Sequence, residues 1–245
     1  MKDIILDVLK HTTNTTFFEC VKITGTEEET IIQATDGLPT IVLNAKTHKV
    51  SDELVGVFGL GNLPYLKNIA NADVFRGDKA SVRVLRKERN EIETPEIIEY
   101  SNEDGAIAKY RLTHESAIPP MPAFKGVEWD VEFTPKKDSV DQFAQFAGYL
   151  ADAEEQLTME NIGGDLIFYI GEKEAATHSI KFPFQSEVEG DVNSGLRWPT
   201  NQLLQTLKLS QQGESSMKIS QKGVACIEID SGLATYQFFI LANQK

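Results

Sequence analysis

The stretch that most limits what this chain can fold into is SAIPPMPAFKG at 116–126, with Pro119, Pro120 and Pro122 inside four positions. A prolyl ring fixes φ, removes a backbone donor and pushes the preceding residue into extended geometry. Neither a regular helix nor an interior strand passes through such a run. It reads as an extended connector, 118–126, between an N-terminal half, 1–117, and a C-terminal half, 127–245. Each half is large enough for its own core, at about 100–150 residues per domain.

The two halves share an order of elements. In the first, KDIILDVLKHT spaces Ile4, Ile5 and Val8 as a helix does. Strand-like runs follow at 17–24, 29–36 and 40–45, and then a short helix at 61–72, with Leu63, Leu66, Ile69 and Ala70 on one face. Asn62 is placed to cap that helix, and Pro64 to occupy its first turn. Strands resume at 80–88, 96–101 and 106–113. In the second half a strand at 127–135 precedes a helix at 139–153 carrying Val140, Phe143, Ala144, Ala147 and Leu150 on one stripe. QLTMEN, DLIFYIGE and THSIKFPF read as strands, TNQLLQTLKLS as a second short helix, and ACIEID and TYQFFILA as closing strands. The expected fold class is α+β: two β-rich domains, each with two short helices.

The formal net charge is −13, from 24 basic and 37 acidic side chains, and neither half is basic: 14 against 19 in 1–120, and 10 against 18 in 121–245. This disfavours indiscriminate nucleic-acid binding, while leaving room for a few lysines where the protein faces phosphate. No run of 18 apolar residues marks a membrane span. Asp3 and Asp7 interrupt the apolar N-terminal stretch, which argues against a signal peptide and for a cytoplasmic location. Cys20 and Cys226 then read as reduced thiols.

No catalytic constellation can be written. His11, His48, His114 and His178 are scattered without ligand spacing. Phe58–Pro64 offers Gly59 and Gly61, but the third fingerprint glycine falls on Pro64. The acidic runs at 27–29 and 152–155 lack the apolar pocket that raises a carboxylate's pKa and read as solvated loops. Arg76-Gly77-Asp78 reads as a turn, and Asn14-Thr15-Thr16 as an unused glycosylation acceptor. The expectation is a binding protein with no catalytic residue, metal or cofactor.

Residues 194–245 resemble the ending of a DNA sliding clamp: the helix TNQLLQTLKLS, the hairpin SSMKISQKGVACIEID, a glycine turn and the strand TYQFFILANQK. AIPPMPAFKGVEWDVEF resembles the Pro-rich crossover of such clamps. Nearly the whole chain is similar to the processivity clamp of T-even-type bacteriophages, a relative in fold of proliferating cell nuclear antigen. The resemblance implies a homotrimeric ring closed head to tail, with sheets outside and helices lining a hole around duplex DNA. It implies a DNA polymerase and a clamp loader as partners, in the cytoplasm of an infected bacterium. The alternative is a non-enzymatic phage structural or assembly protein of two β-rich domains.

The same resemblance assigns residues. The subunit edges would be 106–113 and 177–184, interior strands being the alternative. The DNA-facing set is Lys2, Lys10, Lys67, Lys136, Lys137 and Lys208, with Lys22 and Lys79 as outlying candidates. The helix expected at 139–153 carries Asp141 and no basic residue, so the hole would be weakly basic. A partner-peptide groove would use Ile118, Met121 and Phe124 of the connector with Leu241 and Ala242 of the tail. The densest basic run, Arg83 to Arg89, reads either as a nucleic-acid patch or as a solvated or subunit-contact strand.

Overall fold

The computed structural model describes residues 1–13, 15, 17–38, 40–77, 80–89, 92–150, 155–171 and 178–244. The chain forms two compact units. Unit 1 comprises Met1–Gly37, Leu43–Pro122 and Gly232–Thr235, and unit 2 comprises Leu38–Val42, Ala123–Ser231 and Tyr236–Lys245.

Unit 1 begins with helix α1 (Lys2–Thr13) and strands β1 (Cys20–Gly25), β2 (Thr30–Thr35), β3 (Ile41–Thr47) and β4 (Gly56–Gly61). Helix α2 (Leu63–Asn71) follows, then β5 (Ala80–Arg89), β6 (Ile92–Asn102), β7 (Ile107–Arg111) and the short β8 (Thr113–His114). The strands form a sheet in the order β8-β4-β1-β2-β3 and a three-stranded sheet, β5-β6-β7. Strict alternation in β1 and β2 sends Val21, Ile23, Ile32 and Ala34 into the core. The helices α1 and α2 pack on each other and bury Ile5, Val8, Leu9, Leu63, Leu66 and Ile69.

Unit 2 contains β9 (Val131–Phe133), α3 (Lys137–Tyr149), β10 (Gln156–Ile162), β11 (Asp165–Ile170) and β12 (Ile180–Gln185). After these come β13 (Leu196–Pro199), α4 (Thr200–Ser210), β14 (Glu214–Ser220), β15 (Val224–Asp230), β16 (Ala234–Leu241) and β17 (Asn243–Gln244). The strand orders are β16-β15-β14-β9 and β12-β11-β10-β13-β17. Helix α3 packs on β12, while α4 lies across β10, β13, β14 and β15. An aromatic core fills the space beneath α3. Phe143 meets Phe168 edge-on at 5.4 Å, and Phe168 stacks on Phe184 at 4.2 Å.

Both strands expected at subunit edges lie at sheet edges: β7 in its three-stranded sheet, β12 in the five-stranded one. The first ends at Arg111, and Thr113–His114 pairs instead with β4. Thr177 lies outside the described residues. Strand β12 carries Pro183 opposite Ile167 of β11, a residue type tolerated in sheets mainly at such edges.

Several expectations are corrected. The strand expected at 127–135 is paired only over Val131–Phe133, because Val127 and Trp129 turn onto an apolar cluster instead. Helix α3 starts at Lys137 and ends at Tyr149, so this helix does contain a lysine. Asn62 precedes α2 in the left-handed region at φ 43°, and its side chain makes no cap; its carbonyl accepts from the N–H of Tyr65 and Leu66. Strand β4 was not expected, since GVFGLG has low strand propensity. Packing explains its composition: a Cβ on Gly59 would stand 3.0 Å from both Cys20 Sγ and Thr113 Cβ, so glycine lets β8 close onto β4. Strands β13 and β17 were also missed, each being four residues or fewer.

On β5-β6-β7, the Glu99 carboxylate is only 5% exposed although it lies on the face turned away from the unit's core. Arg83 donates from Nε and Nη2 to its Oε1 at 2.9 and 2.6 Å, and Lys109 Nζ lies 3.4 Å from Oε2. The Arg83 hydrogen bonds hold this carboxyl below its ordinary value of 4.5, outweighing desolvation. A depressed folded-state pKa gives stability that is present above the unfolded value and lost as pH falls through the folded one. Glu99→Gln is therefore expected to lower the melting temperature at neutral pH and to converge on the parent in acid, below the ordinary glutamate range. A constant offset at every pH would remove the ion-pair account.

Candidate functional site

Two groups of residues are the candidates: charged residues on the four helices, and the connector with the C-terminal tail, each divided between the two units. The helices carry Lys2, Lys10, Lys67, Lys137 and Lys208 against Asp3, Asp7, Asp138 and Asp141, a net charge of +1. The remaining residues hold 19 basic and 33 acidic side chains, a net −14. The helices are thus the positive minority of an acidic chain.

Lys10, Lys136, Lys137 and Lys208 are exposed, while Lys2 and Lys67 are half-buried. The Lys2 ammonium donates to the carbonyl of Gly77 at 3.3 Å. Lys208 lies in the last turn of α4, where a cation complements the helix dipole. Lys136 and Lys137 instead sit at the start of α3, where the dipole repels cations at a cost of about 0.3–1 kcal/mol each. Asp138 in the same turn offsets part of that cost. Lys22 is half-buried on β1, on the alternate face from Val21 and Ile23, and Lys79 lies outside the described residues.

The connector and tail residues are divided between the units. Ile118 and Met121 belong to unit 1, and both are half-buried. Ile118 donates its N–H to the carbonyl of Glu115 and reaches within 3.1 Å of where a Gly59 Cβ would sit. Phe124, Leu241 and Ala242 belong to unit 2. Phe124 stacks on Phe239 with ring centroids 4.1 Å apart and lies 6.3 Å from Trp129, yet stays 38% exposed. Beneath it Val42, Val224, Cys226 and Phe239 form a buried cluster on which Val127, Trp129 and Leu241 also pack. The Leu241 N–H donates to Thr40 and the Ala242 N–H to Gly223, both at 2.9 Å, which fixes the tail. An aromatic ring held in place from below and open above is a ready anchor for an apolar side chain.

Sequence reasoning missed Val127, Trp129 and Phe239 as parts of this apolar surface. The period-two spacing of Val127, Trp129 and Val131 carried the signal but was assigned to strand pairing.

Neither cysteine is poised as a nucleophile. Burial pushes the Cys226 thiol up to about 12, so it stays protonated, and burial also raises that of half-buried Cys20. Lys218 pairs with Glu132 at 3.2 Å, and this hydrogen bond raises its pKa. Among the described residues, no three His, Cys, Asp or Glu side chains come together as metal ligands. No described helix is long and apolar enough to cross a membrane.

No protein-family model and no curated protein matches the chain. Solved structures do. PCNA of A. fulgidus, with the C-terminal region of FEN-1 bound, superposes with a TM-score of 0.70 over 100% of this chain and 96% of its own, at 11% identity. The fold is that of the PCNA-type sliding clamps. PCNA of Thermococcus kodakaraensis gives 0.69 at 10% identity over 99% and 97% of the two chains. That of Entamoeba histolytica gives 0.67 at 8% identity over 98% and 96%. The clamp fold thus spans the whole chain with almost no shared sequence, as expected where burial pattern rather than residue identity defines the architecture.

Proposed function

We propose that the protein is a DNA sliding clamp, a replication processivity factor of bacteriophage type. Three copies close head to tail, β7 of one pairing with β12 of the next, into a ring around duplex DNA. The observation that carries this reading is the charge contrast just described: the helices are net positive while the rest of the chain is strongly acidic. In a closed ring that layer faces the duplex, and a weak excess of lysine attracts phosphate without reading bases, which permits sliding. Lys2, Lys10, Lys67, Lys136, Lys137 and Lys208 supply that attraction. Retention on DNA then comes mainly from topology.

The partner groove uses Ile118, Met121, Phe124, Leu241 and Ala242 to take an apolar peptide of a replicative DNA polymerase. The bound FEN-1 segment on the A. fulgidus protein supports a peptide-binding role by likeness of fold. An ATP-driven clamp loader opens the ring, in the cytoplasm of an infected bacterial host, and the clamp itself catalyses nothing.

Light scattering over a dilution series tests the assembly. Three chains of 27.3 kDa should give a species of about 82 kDa, lost on strong dilution. A monomer at every concentration would remove the topological mechanism and leave the two-domain structural-protein reading.

A further inference from the structure

The outward face of β5-β6-β7 takes no part in DNA or peptide binding in the clamp reading, which uses only its β7 edge, yet it carries charges mostly of one sign. Strand alternation and register place Arg83, Glu99 and Lys109 in one row across the sheet. Leu85, Ile97 and Arg111 form the next row, Ser81, Ser101 and Ile107 a third, and Lys87 stands opposite Thr94. Within these rows Arg83, Lys87, Lys109 and Arg111 meet one carboxylate, Glu99, on a chain whose net charge is −13. Arg86 leaves this group, since alternation sends it to the other face, where it donates to the carbonyls of Glu53 and Val55.

Two features make the face more than scattered lysines. Glu99 grips Arg83 and Lys109 from below, fixing their stems while the side chains remain 64% and 56% exposed. Hydroxyls lie among the cations, with Ser81 and Ser101 paired at 2.8 Å and Thr94 donating to the Lys87 carbonyl. Apolar anchors are scarce, because Leu85 and Ile97 are half-buried and Ile107 alone is well exposed. An acidic protein segment needs buried anchors as well as charge, whereas a phosphodiester chain is held by cations and hydroxyls. Arg83 and Lys109 lie two strands apart, on the order of 10 Å, and Lys87 about 13 Å along β5 from Arg83. That span suits roughly three phosphates of a single strand.

We infer that this face is a second nucleic-acid contact, holding single-stranded phosphodiester backbone on the sheet side of unit 1, separate from the helix lysines. The inference does not depend on ring closure.

The test is fluorescence anisotropy with an oligothymidylate of about twelve nucleotides, titrated with the whole protein at several salt concentrations. The double variant Lys87→Glu/Arg111→Glu leaves the Arg83–Glu99–Lys109 row intact. The variant Lys67→Glu/Lys208→Glu changes net charge equally on the helices. The expected result is at least a tenfold loss of affinity in the first variant, with the log–log salt slope flattened by about 1.4, or about 0.7 per phosphate contact. The helix variant should lose far less. Equal affinity in the parent and the Lys87/Arg111 variant, or loss only in the helix variant, would overturn the inference. Displacement of the oligonucleotide by oligoglutamate as readily as by unlabelled oligothymidylate would overturn it too, in favour of an acidic protein partner. Light scattering separates failure here from failure of the clamp reading.

Discussion

Replacing Phe143 with alanine is expected to cost about 3–5 kcal/mol of stability. The ring is fully buried on α3, edge-on to Phe168 at 5.4 Å and Phe184 at 6.2 Å, and near-parallel to Phe182 at 6.1 Å. Truncation removes a whole ring from a stack whose other members are strand residues on two paired strands, β11 and β12. The backbone cannot close the gap without breaking that pairing. For a chain of this size the melting temperature should fall by about 2–4 °C per kcal/mol, hence by on the order of 10 °C. Thermal scans at matched protein concentration measure it, because any self-association would add its own concentration-dependent stability. A shift of only a degree or two would mean that the aromatic stack repacks. Phe143→Leu should recover a large part of the loss.

Phe124→Ala acts on binding instead. Its ring contributes an exposed apolar surface to unit 2 but does not belong to the buried core, so the melting temperature and assembly mass should change little. Affinity for a partner peptide should fall by about 30- to 150-fold, the 2–3 kcal/mol of a central aromatic anchor. The C-terminal FEN-1 peptide taken by the A. fulgidus protein is a usable first probe, read by anisotropy or calorimetry. An unchanged affinity in a probe that binds the parent would dismiss Phe124 from the groove, and Leu241→Ala would then test whether the tail alone holds the peptide.

How much of this was legible in sequence follows from where each signal lives. The α+β class and the four helices were readable because each helix carries one apolar stripe, as in Val140, Phe143 and Ala147. Strands β1, β2, β10 and β15 were readable from alternation or from long apolar runs. Strand β4 was not, because its glycines answer to Cys20 and Thr113, residues distant in sequence, and no local pattern reports such a contact. The start of α3 was misplaced for a related reason: Lys137 and Asp138 are polar and lie outside the apolar stripe. Trp129 was read as a strand residue, since only the folded unit shows the cluster it covers. The basic run at Arg83–Arg89 was visible as charge, but its division into an outward row and an inward Arg86 depends on register with β6.

The proline in β12 bears on how the chain behaves in a crowded solution. A full row of outward amide donors on an exposed edge would recruit any passing strand, whether from a sister copy or from a misfolded neighbour. Pro183 has no donor to offer at its place in that edge strand. Any strand joining there must meet a gap, so indiscriminate addition is penalised, and only a partner whose own pattern tolerates the missing bond fits well. The same gap weakens the join it permits. One residue thereby makes strand addition at this edge both selective and weak.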